Sequence, residues 1–282
     1  MNSLQFFGSL ELGLIFSLVA LGVYLSFRII DFPDLTVDAS FPLGAAVAGI
    51  SILQGLNPFL ATFLAIFAGA LAGLMTAYMN VKWNILGLLA SILTMTGLYS
   101  INLRVMGNRP NLVIMDEPTL FHYAPVLALL AGIVLVVLLL LYAFFSSEFG
   151  LGVRAAGINP RAGAAYGISS NKVKLIVLAM SNALVAFAGA LFTQSQGFAD
   201  VSMGTGTIVI GLASVIMGET FLESSAMLKN LIACVVGSLL YRFAISLALN
   251  SSEVGLESSD LNLITAILVA VAMIVPKMRA KK

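Results

Sequence analysis

Nine apolar stretches follow one another along the 282 residues, at about 10–28, 36–53, 59–79, 84–103, 123–146, 174–196, 204–218, 226–249 and 261–276. Most have the ~17–25 residues that cross ~30 Å of hydrocarbon. A soluble domain has no interior large enough to hide so many. Composition agrees, with 60% hydrophobic residues and 10% charged, against about 25% charged in soluble proteins. The chain therefore reads as all-α: a polytopic membrane helix bundle of about nine spans, with 1–282 forming a single transmembrane domain.

Several function classes fall away at once. A net charge of +1 and the lack of a basic stripe argue against nucleic acid. A single cysteine, Cys234, excludes a disulfide framework and any cysteine-based metal site. The lone His122 has no second histidine or cysteine beside it, so no metal site is expected. No Lys or Arg precedes the first apolar run. The basic start of a cleavable signal is missing, and the first helix is expected to stay in the protein.

Two stretches are poor spans. The run 204–218 would reach about 22 Å as a helix, and 36–53 carries Asp38 and Pro42. Short or Pro-interrupted segments in lipid mean broken helices shielded by protein or water. They belong to an internal repeat: Phe32-Pro33-Asp34-Leu35-Thr36-Val37 recurs as Phe198-Ala199-Asp200-Val201-Ser202-Met203. Each copy ends a full helix and opens a weak one. Nine spans place eleven of the fourteen basic residues on the side of the C-terminal tail, so the N-terminus is expected outside and the C-terminus inside. The two copies then lie on opposite sides, making a 4+4 inverted repeat with discontinuous helices: repeat 1 about 1–103, a linking segment about 104–173, repeat 2 about 174–276. A chance match between two Gly-rich helix–loop–helix stretches is the alternative.

The repeated breaks supply the candidates for a translocation path: Asp34, Thr36 and Asp38 in one half, Asp200, Ser202 and Thr205 in the other. Ionisable groups in a membrane are costly unless used or paired. Asp34 and Asp200 have two readings, lining the path or capping the helices that follow. Asp38 is the stronger path candidate, with Arg28 as neutralising partner and the ammonium of an amino acid as its target. The helix N-termini at the breaks would favour a substrate carboxylate. Glu219 and Glu223 read as solvated acids at the cytoplasmic mouth.

The longest cytoplasmic connector, 146–174, holds its own short helix, with Asn159 as N-cap, Pro160 as first helical residue and an Ala-rich run to Tyr166, ended by Gly167. Gly150, Gly152 and Gly157 are expected to turn the chain around it. Either the helix is a docking surface, or it lies on lipid headgroups through Arg154, Arg161, Lys172 and Lys174. Gly69-x-x-x-Gly73 permits close helix approach, within the fold or at a dimer seam.

The run Gly152-Val153-Arg154-Ala155-Ala156-Gly157-Ile158-Asn159-Pro160-Arg161-Ala162-Gly163-Ala164-Ala165-Tyr166-Gly167-Ile168 resembles the coupling loop of permeases in the branched-chain amino-acid and ribose class of ABC importers. Ala188-Gly189-Ala190, Gly211 and Val215-Ile216-Met217-Gly218 extend the likeness. Asp34-Leu35-Thr36-Val37-Asp38 with Gly44-Ala45-Ala46 resembles a poorly characterised branch, some of whose members are linked to aromatic amino-acid uptake. Gly218-Glu219 departs from the Gly-Gly pair common there.

The resemblance implies a permease subunit of an ATP-driven importer for a small solute, an amino acid in the first instance, in the bacterial cytoplasmic membrane. It implies a permease dimer, homodimeric in the simplest case, an extracytoplasmic solute-binding protein, and a separate ABC ATPase. Coupling to that ATPase would fall to Arg154, Gly157, Asn159, Pro160, Arg161, Ala162 and Ala165. No G-x-x-x-x-G-K-[S/T] loop is present, so the chain is expected to be no enzyme and to bind no cofactor, with ATP on the partner. A secondary transporter with inverted repeats is the rival reading; it would not need an ordered 146–174 loop.

Overall fold

The computed structural model describes residues 3–115, 117–165, 167–222, 226–250 and 270. The expected ninth span at 261–276, the outer loop 251–260, the basic C-terminal tail, Asp116, Tyr166 and Glu223 lie outside the described residues.

The chain is almost entirely helical. Helix α1 (Ser3–Val23) continues through a π-helical segment, Tyr24–Ile29, and an extended break leads into α2 (Val37–Leu53). Helices α3 (Pro58–Trp83) and α4 (Gly87–Val105) follow, then a strand β1 (Asn111–Val113) and α5 (Val126–Ser146). The connector forms α6 (Glu148–Ile158) and α7 (Pro160–Ala165). Helix α8 (Ser170–Gln196) leads through strand β2 (Phe198–Asp200) and a 3-10 turn (Val201–Gly204) to α9 (Thr207–Phe221) and α10 (Met227–Asn250). Among the described residues, seven helical segments are long and apolar enough to span a membrane, and α2 is a shorter apolar helix.

Burial separates centre from rim. In α1 78% of the apolar window is enclosed, in α5 only 22%. Helix α1 is therefore the most enclosed helix of the bundle, whereas α5, the most apolar span, has most of its surface uncovered by the described residues. Helix α3 packs on α8 and α10 on α1, while α2 and α9 lie against α8 and α1 respectively.

Glycine sets the closest approaches. A Cβ on Gly44 of α2 would overlap the carbonyl of Ala186, and one on Gly189 of α8 would overlap that of Phe41. Backbones in contact gain dispersion energy that side chains would prevent, the main attraction between helices in lipid. Gly69 and Gly73 meet Asn182, Ala186 and Leu178 of α8 in the same way. That motif is thus used inside the fold.

At the end of the bundle away from α6 and α7, β1 pairs antiparallel with β2, Asn111 opposite Asp200 and Val113 opposite Phe198. The first copy of the repeated motif has Pro33 in the middle, which has no N–H to give such a ladder. This two-stranded ribbon is the one departure from an all-helical chain among the described residues.

Candidate functional site

The first break brings a buried polar network together. Asp34 is fully enclosed. Its Oδ1 accepts from the Thr36 backbone N–H at 3.0 Å, and its Oδ2 accepts from Asn182 Nδ2 of α8 at 2.7 Å. Asn182 Oδ1 in turn accepts from the Ser40 hydroxyl at 2.7 Å. Thr36 shares a hydrogen bond with Thr76 of α3, Oγ1 to Oγ1 at 2.7 Å. Every one of these side chains is buried. Such satisfaction is required, since an unpaired polar group in a low-dielectric interior costs several kcal/mol, on the order of 2–7. Asp34 therefore pins the break to α8, and in this conformation it faces protein.

The second break is more open. Asp200 Oδ1 accepts from the Ser202 backbone N–H at 2.7 Å and from the Ser202 hydroxyl. Ser202 and Thr205 are exposed and Asp200 half-buried. Asp200 thus caps the 3-10 turn Val201–Gly204, whereas Asp34 bonds the N–H of Thr36, the residue before α2, and makes no cap bond to that helix.

Asp38 joins the two halves. In the first turn of α2, its carboxylate accepts from the backbone N–H groups of Ile208 at 2.7 Å and Gly206 at 3.2 Å, the start of α9. Gly204 is pressed onto the Asp38 carbonyl and Pro42. Helices α2 and α9 begin within the bundle and run apart, N-terminus against N-terminus, with one carboxylate between them. Two positive helix ends facing one another repel, and a shared anion offsets this. The expected partner, Arg28, is elsewhere: its guanidinium forms a two-point ion pair with Glu219 near the end of α9. Glu219 is therefore paired, correcting its reading as a free solvated acid. The α9 N-terminus, expected to await a substrate carboxylate, already holds that of Asp38.

The connector forms the second site. Asn159 caps α7 through Oδ1, which accepts from Arg161 N–H at 3.1 Å, and Pro160 is its first residue. Gly167, at φ 79°, follows the helix. Gly150, Gly152 and Gly157 do not turn the chain; they lie within α6. Their lack of a side chain serves close packing instead. Gly150 meets the Phe144 carbonyl, and Gly157 meets the Ile29 carbonyl at the π-helical end of α1. Arg154 is half-buried, whereas Asn159, Pro160, Arg161 and Ala165 are exposed. Ile158, at 88% exposure, is an apolar side chain held clear of the bundle.

Asn182 and Thr76 escaped sequence reading, yet both sit in apolar spans as polar residues. The run Ser181-Asn182 was the available signal: Ser181 bonds the Gly22 carbonyl at 2.7 Å, so both residues tie α8 to repeat 1. His122 ends a one-turn 3-10 helix (Leu120–His122). It lines a cavity of about 430 Å³ with Glu117, Gln194, Ser195 and Gln196 at the β1–β2 end. No group of metal ligands occurs among the described residues.

A multi-pass helical bundle whose two short helices start face to face within it has the architecture of a membrane transport component. The chain belongs to the family described as branched-chain amino acid transport system / permease component, which it matches over residues 5–275. It is 38% identical to a tyrosine transport system permease protein of Clostridioides difficile, covering 91% of this chain and 86% of that one. A ribose import permease protein of Bacillus subtilis is 30% identical over 67% of this chain and 61% of its own. Among solved structures, PsaBC from Streptococcus pneumoniae in complex with Fab shares the fold, with TM-score 0.52 at 15% identity, covering 94% of this chain and 89% of that chain. The protein is an ABC-type permease of the membrane, and its family members are transport components.

Proposed function

We propose that this chain forms the solute path of an ATP-driven amino-acid importer, aromatic amino acids included, with ATP bound and hydrolysed on a separate ABC ATPase. The observation that carries the amino-acid reading is the likeness to the tyrosine permease over nearly the whole of both chains. An extracytoplasmic binding protein delivers the solute, and two permease chains assemble around the path. The end bearing α6 and α7 is cytoplasmic, with the N-terminus outside.

The inverted 4+4 repeat is supported by its packing. The pairs α3–α8 and α10–α1 exchange when the halves are exchanged, as do α2–α8 and α9–α1. Coupling then follows a physical route. The ATPase grips α7 and Ile158; α6 bears on Ile29 through Gly157; the π-helical end of α1 carries Arg28 to Glu219. Helix α9, held at its far end by Asp38, tilts against α2 when that end is pulled. The path residues Asp34, Thr36, Asp38, Asp200, Ser202 and Thr205 surround this junction. Asp34 and Thr36 set its shape, and Ser202 and Thr205 face the opening.

Reconstitution tests the reading. Proteoliposomes containing the permease, its ATPase and binding protein are expected to accumulate labelled L-tyrosine only with ATP on the ATPase side, unaffected by a proton ionophore. Uptake that persists without the ATPase and collapses with the ionophore would make this a secondary transporter.

A further inference from the structure

The cavity at the β1–β2 end has walls that the fold itself fixes. One wall is the last turn of α8, and the other is the chain between β1 and α5. Two hydrogen bonds tie the second wall to the first. Ile114 donates its backbone N–H to the Gly197 carbonyl at 2.7 Å, and Leu120 donates its own to Gln194 Oε1 at 3.1 Å. Within the second wall, the Glu117 N–H reaches the Ile114 carbonyl at 3.1 Å and the His122 N–H the Thr119 carbonyl at 3.1 Å. These turns set Glu117 and His122 among the lining residues. Gly197, at φ 77°, ends α8 where a side chain would strike Met115, which also lines the space. At about 430 Å³ the cavity has the size of a small-molecule site, about 300 to 1,000 Å³.

The directions of the hydrogen bonds decide what kind of ligand it suits. Gln194 spends both amide hydrogens inside the protein, on Thr62 Oγ1 at 2.8 Å and the Ala190 carbonyl at 3.3 Å. Ser195 gives its hydroxyl hydrogen to Glu11. Gln196 gives its two to Ser195 Oγ at 2.9 Å and to Glu11 Oε1 at 3.4 Å. All three belong to the α8 wall, so what they retain to offer is oxygen lone pairs. From the other wall, Glu117 brings a carboxylate, which only accepts, and Thr119 a hydroxyl. Glu11 sets a second negative charge behind Ser195 and Gln196, one hydrogen bond away. Acceptors under negative potential suit a ligand that brings donors and positive charge. An ammonium group does both, with three N–H donors and no acceptor. Phe121, Met115 and Ile114 complete the lining with apolar surface for the ligand's carbon body.

We propose that this cavity is an entry site that recognises the solute's ammonium group: Glu117 supplies the counter-charge, and the oxygens of Thr119, Ser195 and Gln196 accept the hydrogens. The assignment rests on the amino-acid reading above, in which the β1–β2 end is the outer one. It commits to one end of the solute only. The acceptor walls recognise the ammonium and ask nothing of the carboxylate, so an amine and an amino acid of the same shape are held alike.

The test uses the permease–ATPase complex in detergent, where both faces meet the reagent. It needs a Met115→Cys reporter in a Cys234→Ala background and a small water-soluble maleimide. Millimolar L-tyrosine and tyramine, which share the ammonium, are each expected to slow labelling about fivefold. The deaminated analogue 4-hydroxyphenylpropionate and potassium chloride at the same concentration leave the rate unchanged. Glu117→Gln keeps the shape and removes the charge, so about tenfold more tyrosine is needed for the same protection. Glu117→Asp, which keeps the carboxylate, retains part of the protection and so separates loss of charge from loss of folding. Protection by the deaminated analogue or by potassium, or undiminished protection in Glu117→Gln, overturns the site. Tyrosine uptake by the wild type in proteoliposomes, without protection of the reporter, removes this site alone. Protection by tyramine with no tyrosine uptake upholds the ammonium site and removes the amino-acid reading.

Discussion

At the scale of single residues, Asp38 and Asn182 do different work with similar chemistry. Asp38 bonds two N–H groups at the start of α9. Asp38→Asn removes the charge and keeps one acceptor oxygen, so one of the two N–H donors, which bond to separate carboxylate oxygens, faces the amide NH2, at about 2 kcal/mol in all. Asp38→Leu strands both donors and costs about 2–4 kcal/mol. The expected order of melting temperatures in detergent is wild type, Asn, then Leu, with transport slowed in both variants; a Leu variant as stable as Asn would contradict the bridge. Asn182→Ala leaves Asp34 Oδ2 and Ser40 without their partner, for about 2–3 kcal/mol. Asp34 was legible as a helix-start signal because its partner, Thr36, is two residues on. Its other partner is 148 residues away, and no local pattern reports such a pair. The same limit explains Arg28: charge alone matched it to Asp38, but the fold brings it to Glu219.

At the scale of elements, the eight expected helices before residue 250 are all present, because in lipid each backbone polar group must be satisfied within its own helix. Apolar runs therefore translate into helices with few alternatives. The breaks were legible for the complementary reason: acid, hydroxyl and glycine interrupt the runs twice in one pattern. Helix α6 was not legible. Its three glycines have the composition of a turn, and only the carbonyls of Phe144 and Ile29 lying against them show why glycine is needed in a helix there. The Arg28–Glu219 pair links two elements and is partly solvated, so it adds only about 0–1 kcal/mol. Its removal should hardly move the melting temperature but should loosen coupling. Glu219→Arg alone is expected to raise ATP hydrolysis without solute, and Arg28→Glu combined with Glu219→Arg to restore the dependence. Single and double variants behaving alike would end the case for a link through α1. Likewise Ala165→Glu places a charge on the exposed face of α7 and is expected to abolish co-purification of the ATPase while leaving the permease folded.

At the scale of the whole molecule, the question is what closes the path. Helices α2 and α9 have 17 and 15 residues, about 25 and 22 Å, so neither crosses ~30 Å of hydrocarbon alone. Their inner ends expose polar backbone that lipid cannot solvate. Protein covers them on the side of α1, α3 and α8, whereas Ser202, Thr205 and Val209 are exposed on the other. In the proposed dimer one chain supplies a wall, and a second copy turned about an axis through the membrane would supply the facing wall, as closed two-fold symmetry allows with a single kind of surface. The solubilised complex is therefore expected to contain two permease chains, twice 29.7 kDa, for every two ATPase subunits. Native mass spectrometry in detergent distinguishes this from one permease per two ATPases, the outcome that would contradict it. Thiol labelling adds the location: Cys substitutions at Ser202 and Thr205, in a Cys234→Ala background, should crosslink across the dimer or react in a nucleotide-dependent way. Substitutions at Phe63 and Phe67, exposed on the α3 face, should do neither if that face meets lipid. Labelling that ignores nucleotide at 202 and 205 would place the path elsewhere, even in a dimer of the expected mass.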